Sequence, residues 1–181
     1  MAEAKRTKRF ERIVMPHLDA AYNLARWLIH DHQDAEDVMQ DAILRAYKFL
    51  DACRDETSRQ WVIRIVRNAC YDWLSSAANL PVGFADIDPN DADGVLFSAD
   101  AFGEERLSPE ALVIQEERKA NLQTLIAELP PEFREVIILR EWEDFSYKEI
   151  AEIVGIPVGT VMSRLSRARA ILQTEWTRRY E

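Results

Sequence analysis

A chain of 181 residues, 48% hydrophobic and 30% charged, has the make-up of a soluble globular protein of one or two small domains. Nothing in it approaches the roughly 18–20 uninterrupted apolar residues of a membrane span, and the basic N-terminus (Lys5, Arg6, Lys8, Arg9, Arg12) is not followed by the apolar core of a signal peptide, so no membrane insertion and a cytoplasmic location are expected. Cys53 and Cys70 are too few for a disulfide scaffold, and with His17, His30 and His32 they give no metal-ligand spacing, so no cofactor is expected.

The first segment repeats apolar residues at helical spacing (Phe10, Ile13, Val14, Leu18, Ala21, Ala25, Leu28), with a kink or fresh start predicted at Pro16. A turn over His30–Gln33 leads to Asp34, the expected N-cap of a second helix with Ala35, Val38, Met39, Ala42, Ile43, Ala46, Tyr47 and Leu50 on one face. Thr57 or Ser58 is the expected cap of a third, with Trp61, Val62, Ile65, Val66, Ala69, Trp73 and Leu74 inward. These helices predict a compact bundle over residues 1–78.

Periodicity stops between 79 and 107. Here Pro81, Pro89, Gly83, Gly94 and Gly103 accompany Asp86, Asp88, Asp91, Asp93, Asp100, Glu104 and Glu105, which points to an acidic linker. Its apolar residues, among them Phe84, Val95, Leu96, Phe97 and Phe102, predict packing on the chain itself or on a partner. Helical signals resume at Ser108-Pro109-Glu110, an N-cap followed by proline, with Val113, Ile114, Ala120, Leu122, Leu125 and Ile126 lining the helix. Pro130-Pro131 breaks it, and the next helix carries Phe133, Val136, Ile137 and Leu139 and ends near Asp144. No strand alternation appears. The predicted fold is all-α, a three-helix-type bundle and a four-helix unit (108–181) joined by the acidic linker.

The sharpest signal lies in the last third. Ser146 and Glu149 have the spacing of a capping box, Gly155 suits a left-handed helix end, Pro157 bars continuation, and a second helix starts by Gly159-Thr160. Ala151 is small where two helices cross, and Ile150, Val154, Ile156, Val161 and Leu165 fill the joint. Helix, three-residue turn and helix is the geometry that lays a second helix in the DNA major groove. That helix carries Ser163, Arg164, Ser166, Arg167 and Arg169, predicted to be exposed; arginine forks suit guanine edges and phosphates. The net charge of −9 opposes an autonomous DNA binder, yet between 158 and 180 five arginines face Glu175 alone. A solvated basic hairpin is the plain alternative; the coincidence of capping box, turn glycine, small crossing residue and arginine-rich helix favours DNA.

Leu129-Pro130-Pro131-Glu132-Phe133-Arg134-Glu135-Val136, then Phe145 to Ala151, then Gly159 to Arg169 resembles region 4 of the extracytoplasmic-function (ECF) sigma factors. The resemblance implies binding of the −35 promoter element through Thr160, Met162, Ser163, Arg164, Ser166, Arg167 and Arg169, and of the flap of RNA polymerase. Asp34-Ala35-Glu36-Asp37-Val38-Met39-Gln40-Asp41 with Arg45-Ala46 is similar to region 2.2, which implies docking on the polymerase clamp through Asp37, Gln40, Asp41 and Arg45. Trp61 to Asn68 with Asp72 resembles regions 2.3 and 2.4 and implies melting and reading of the −10 element, with Arg59, Arg64, Arg67, Asn68 and Asp72 as contacts and the loop 51–58 as holder of an extruded base. Met162, Ser58 and Ser75-Ser76 depart from the family pattern, standing where relatives carry basic, aromatic and arginine residues.

The partners implied are core RNA polymerase, promoter DNA and an anti-sigma factor, and the acidic linker is expected to mimic RNA phosphates in the polymerase exit channel. Two other functions fit parts of the chain: a polymerase-independent helix-turn-helix regulator, opposed by the region 2-like bundle, and a sigma-like adaptor or decoy without initiation activity. With no phosphate loop and no nucleophile–base pairing, enzymatic activity is not expected.

Overall fold

The computed structural model describes residues 2–76 and 109–180. The linker expected over 79–107, with its acidic run, and the Ser108 cap lie outside the described residues. The N-terminal helices are α1 (Ala2–Val14), α2 (Leu18–Leu28), α3 (His32–Lys48) and α4 (Ser58–Ser76); the C-terminal ones are α5 (Pro109–Glu128), α6 (Pro131–Ile137), α7 (Tyr147–Val154) and α8 (Val158–Tyr180). No strand occurs among the described residues.

Pro16 acts as expected: α1 stops at Val14, a 3-10 turn spans Met15–His17, and α2 begins afresh. The α3 cap is Asp31 and not Asp34. Its carboxylate accepts from the backbone N–H groups of Gln33 (2.8 Å) and Asp34 (3.1 Å), so α3 starts two residues before the expected cap. α4 continues directly from a 3-10 turn at Asp55–Thr57, and the Ser58 hydroxyl pairs with His17 Nε2 at 3.3 Å.

Among the described side chains of α5, from Ile114 onward, the expected apolar face is buried toward the C-terminus. Leu125 and Ile126 are buried, whereas Ile114 is half exposed and Ala120 exposed. After α6 the helix widens into a π turn over Ile138–Trp142, closed by Glu143 N–H donating to the Ile138 carbonyl. Asp144, at φ 52°, then reverses the chain into α7.

α2 and α4 are the shared elements. α3 packs on both, and from the C-terminal half α6 packs on α2 and α7 on α4. The buried apolar residues of both halves, from Leu24 and Ile63 to Ile138, Ile150 and Leu165, form one continuous cluster. The sequence alone pointed to two bundles on a tether; the structure docks them side by side.

Candidate nucleic-acid and polymerase interfaces

The helix-turn-helix forms from α7 and α8 around Gly155-Ile156-Pro157. Ser146 N–H donates to Glu149 Oε2 (2.8 Å) while Glu149 N–H donates to Ser146 Oγ (3.3 Å), closing the capping box. Hydrogen bonds from Ser146 foremost, and from Gln60 of α4, hold the Glu149 carboxyl below its ordinary pKa. Gly155 sits at φ 77° and donates to the Ala151 carbonyl. A Cβ added there would touch nothing within 4 Å, so the cost of Gly155→Ala is purely conformational. About 1 kcal/mol of stability should be lost in urea unfolding; an unchanged midpoint would mean that the turn does not require the left-handed conformation.

On α8, Met162, Ser163 and Arg167 are exposed, Thr160 and Ser166 half-buried. Two residues depart from the expected exposed surface. Arg164 Nη1 donates to Glu135 Oε1 (3.3 Å) and Arg169 Nη2 to Glu141 Oε1 (2.6 Å). Arg164 neighbours the inward row of Val161, Leu165 and Ala168, close enough to the helix joint to reach back to α6.

The candidate residues of α4 divide by face. Arg64, Asn68 and Asp72 form an exposed row at i, i+4, i+8. Arg59 and Arg67 instead meet the C-terminal half. Arg59 donates to Glu143 (3.1 Å) and lies over the Phe145 ring at 4.3 Å; Arg67 donates from Nε and Nη2 to Glu135 at 2.8 and 3.3 Å. Ala52, Arg54, Thr57, Gln60, Trp61 and Arg64 line a cleft of about 200 Å³ beside the 51–58 loop, and Glu152 and Ile153 of α7 wall its other side. On α3, Asp37, Gln40 and Asp41 are exposed, and Arg45 bridges Asp41 (2.7 Å) and Asp72 (2.6 Å).

Two neighbouring residues of α6 organise the junction. Glu135 is fully buried and takes Arg67 from α4 and Arg164 from α8 on one carboxylate. Burial pushes its pKa up, against the pull of both guanidiniums. Arg134, also buried, donates to the carbonyls of Trp27 (2.8 Å) and Leu28 (3.5 Å) in the last turn of α2, and to Ile126 (3.2 Å), Ala127 (2.7 Å) and Leu129 (2.6 Å) at the end of α5. One guanidinium thus satisfies two helix C-termini, where the backbone dipole favours a cation. Desolvation lowers its pKa to about 10, which leaves it protonated at neutral pH. The Trp27–Trp142 ring pair (5.9 Å between centroids) and the Asn23 amide donating to Glu143 (3.0 Å) extend the same seam.

The profile for Sigma-70 region 2 matches residues 13–79, and that for Sigma-70, region 4 matches 119–172. The RNA polymerase sigma-H factor of Pseudomonas aeruginosa is 34% identical over 161 residues, covering 88% of this chain and 82% of that protein. The ECF RNA polymerase sigma-E factor of Escherichia coli K12 is 36% identical over 143 residues, 78% of this chain and 73% of the relative. The chain belongs to the ECF sigma factors. The solved sigma factor RpoE of Bartonella quintana, in complex with the anti-sigma factor NepR, superposes with a TM-score of 0.63 at 26% identity over 96% of this chain and 99% of that one. CnrH, in complex with the cytosolic domain of CnrY, shares the fold at TM-score 0.63 and 23% identity, over 94% of this chain and 88% of that one.

As a sigma factor, the protein binds core RNA polymerase and directs promoter-specific transcription initiation. Several residues of this sigma factor that organise its candidate interfaces were not singled out in the sequence. Glu135 and Glu141 are ordinary helical acids, and Glu143 the residue after the π turn, until folding sets them against arginines of α4 and α8. Leu44, 69% exposed, was also missed; it follows Gln40 by four residues and Asp41 by three, which sets an apolar side chain in the same polar row. An apolar residue out of phase with the buried face of α3 was its available signal. At the departures from the family pattern, Met162 is 54% exposed, and the Ser75 and Ser76 hydroxyls donate back to the Tyr71 and Trp73 carbonyls.

Proposed function

We propose that this sigma factor works in the cytoplasm with two separable units, 1–78 and 108–181, and that the docked arrangement is its DNA-free form. In this reading Thr160, Met162, Ser163, Arg164, Ser166, Arg167 and Arg169 meet the −35 element. Arg59, Arg64, Arg67, Asn68 and Asp72 meet the −10 element, and Asp37, Gln40, Asp41 and Arg45, joined by Leu44, meet the polymerase clamp. The carrying observation is that Glu135 holds Arg67 and Arg164 together: a −10 arginine and a −35 arginine share one carboxylate, and Arg67, which reaches it from the other half, is not free for phosphate until the halves part. Polymerase holds the units at promoter spacing and performs the chemistry. An anti-sigma protein favours the docked form; in support, the similar RpoE is held by one in its solved complex.

The test is in vitro transcription from a promoter library with purified core polymerase, with and without the chain. A defined set of promoters should be enriched only in its presence. Arg167→Ala should lower initiation from them by roughly ten- to a hundredfold, the equivalent of about 1–3 kcal/mol for a base-edge contact. Leu44→Asp should weaken association with core polymerase at least tenfold while leaving the melting temperature in place, because the side chain is exposed. Enrichment without polymerase would favour the stand-alone regulator, and polymerase binding without any enrichment the decoy.

A further inference from the structure

The basic residues of α1 lie ahead of the region 2 match, which begins at residue 13, and no role above uses them. Lys5, Arg6, Lys8, Arg9 and Arg12 face only Glu3 and Glu11 within α1, a local excess of cations in a chain of net charge −9. They divide into two sets. Arg6 and Arg9 are anchors: Arg6 donates to the Tyr47 and Lys48 carbonyls at the end of α3 (2.9 and 3.1 Å), and Arg9 to the Cys53 carbonyl (3.0 Å). Lys5, Lys8 and Arg12 point outward at i, i+3 and i+7, one stripe rising roughly 10 Å along the helix. Among the described residues neither lysine has a carboxylate within ion-pair distance, and Arg12, though it meets Asp55 at 2.6 Å, keeps 68% of its side chain exposed.

The stripe borders a cleft of about 950 Å³ that runs past Tyr47 to Asp51, and none of the residues lining it comes from α5–α8. It therefore stays open while Arg59, Arg67 and Arg164 are occupied. Its position is what gives it meaning. Arg9 at Cys53 and Arg12 at Asp55 tie α1 to the 51–58 loop, the seat of an extruded base that the resemblance to regions 2.3 and 2.4 implies. A strand that leaves a base in that loop must carry its next phosphates along a neighbouring surface, and the adjoining surface is this row of cations, the kind of charged track that follows a single-strand backbone.

We propose that α1 binds the phosphate backbone of the opened promoter strand where it leaves the 51–58 loop, through Lys5, Lys8 and Arg12. The assignment rests on the −10 role of that loop. An acidic protein surface is the competing occupant, and a solvated basic face the plain one; adjacency to the loop favours the strand.

The test uses holoenzyme assembled from core RNA polymerase and the full chain, on fork-shaped DNA carrying a promoter selected by that holoenzyme from a random library. In one probe the unpaired non-template strand ends at the −10 element; in the other it runs about ten nucleotides further. The double variant Lys5→Gln/Lys8→Gln, which spares the Arg12–Asp55 tie to the loop, should bind the long probe roughly tenfold more weakly at about 0.1 M salt. Its plot of log affinity against log salt should be flatter by about 1.4, since each single-strand phosphate contact contributes a slope of roughly 0.7. Binding of the short probe should match the parent, and Arg12→Lys, which keeps the charge, should preserve long-probe binding.

Equal binding of the long probe by parent and variant would overturn the assignment. So would an equal loss on both probes, or weaker association with core polymerase in the absence of DNA, which would identify an acidic protein face as the occupant. If the parent holoenzyme selects no DNA, the proposed function itself fails and takes this assignment with it; if it selects DNA and the variant is indistinguishable, only this assignment fails.

Discussion

Glu135→Ala is expected to open the molecule. In the docked form it removes the acceptor shared by Arg67 and Arg164, leaving two guanidiniums in a low-dielectric seam. Breaking a fully buried pair costs about 3–5 kcal/mol. Here Arg67 and Arg164 keep 16% and 26% of their side-chain exposure, so water offsets part of the loss and about 2 kcal/mol is the expected penalty. In an open form Arg67 is solvated and pays nothing, whereas Arg164, on the same half as position 135, loses its partner in both forms. About 1 kcal/mol therefore falls on docking and shifts the closed-to-open ratio roughly fivefold. Spin labels on exposed Lys48→Cys and Gln173→Cys would report it: the parent should give one narrow distance, and the variant a second, longer and broader population. Native Cys53 and Cys70 are buried, which favours labelling at the introduced sites. Binding of the isolated chain to promoter DNA should rise in parallel. Glu135→Gln, which keeps an acceptor but loses the charge, should fall between the two. An unchanged distance distribution in the alanine variant would show that the carboxylate does not hold the halves together.

Arg134→Ala should produce the largest loss of stability. Five carbonyl oxygens at the ends of α2 and α5 lose the arginine together, though that of Ile126 keeps a turn donor in the Leu129 N–H, and a buried cavity replaces the side chain. Buried acceptors left without a partner cost on the order of 1 kcal/mol each after relaxation, and entry of water lowers the sum, so about 3–5 kcal/mol is expected. For a chain of this size that corresponds to a fall in melting temperature of roughly 10 °C. Arg134→Lys should recover only part of it, because three donors radiating from one nitrogen cannot serve carbonyls on two helices as a planar fork does. Thermal unfolding followed by circular dichroism checks both variants. A drop of less than about 2 °C for alanine would mean that water satisfies those helix ends as well as the arginine does.

Arg134 and Glu135 both lie within the stretch that resembles region 4, but their partners were not legible there. The acceptors of Arg134 lie more than a hundred residues away on α2 and fewer than ten away on α5. Nothing marked Glu135 as buried, since an acid on a helix is solvated more often than not. The Asp34 cap was misplaced because Asp31 and Asp34 are equally good N-cap residues, and only the path of the turn decides which one meets free N–H groups. The apolar face of α5 was overextended at Ile114 and Ala120 because propensity and spacing describe a helix without saying what lies opposite it. The π turn at Ile138–Trp142 was invisible for a related reason: it brings Trp142 against Trp27 and Glu143 against Asn23 and Arg59, partners from a distant stretch of chain.

Local chemistry, by contrast, was readable from the chain alone. The break at Pro16, the capping box of Ser146 and Glu149, the left-handed Gly155 and the apolar periods of α3, α4 and α8 depend on residues within a few positions of one another, so short-range sterics and hydrogen bonding decide them. The family, and with it promoter-directed initiation, followed from that ordered set. Tertiary structure alone decided which arginines are free. Arg64 and Arg167 face solvent while Arg59, Arg67, Arg164 and Arg169 face carboxylates. The difference is set by docking of one half on the other and of α6 on α8, and a charge's partner in three dimensions is not encoded in its neighbours along the chain.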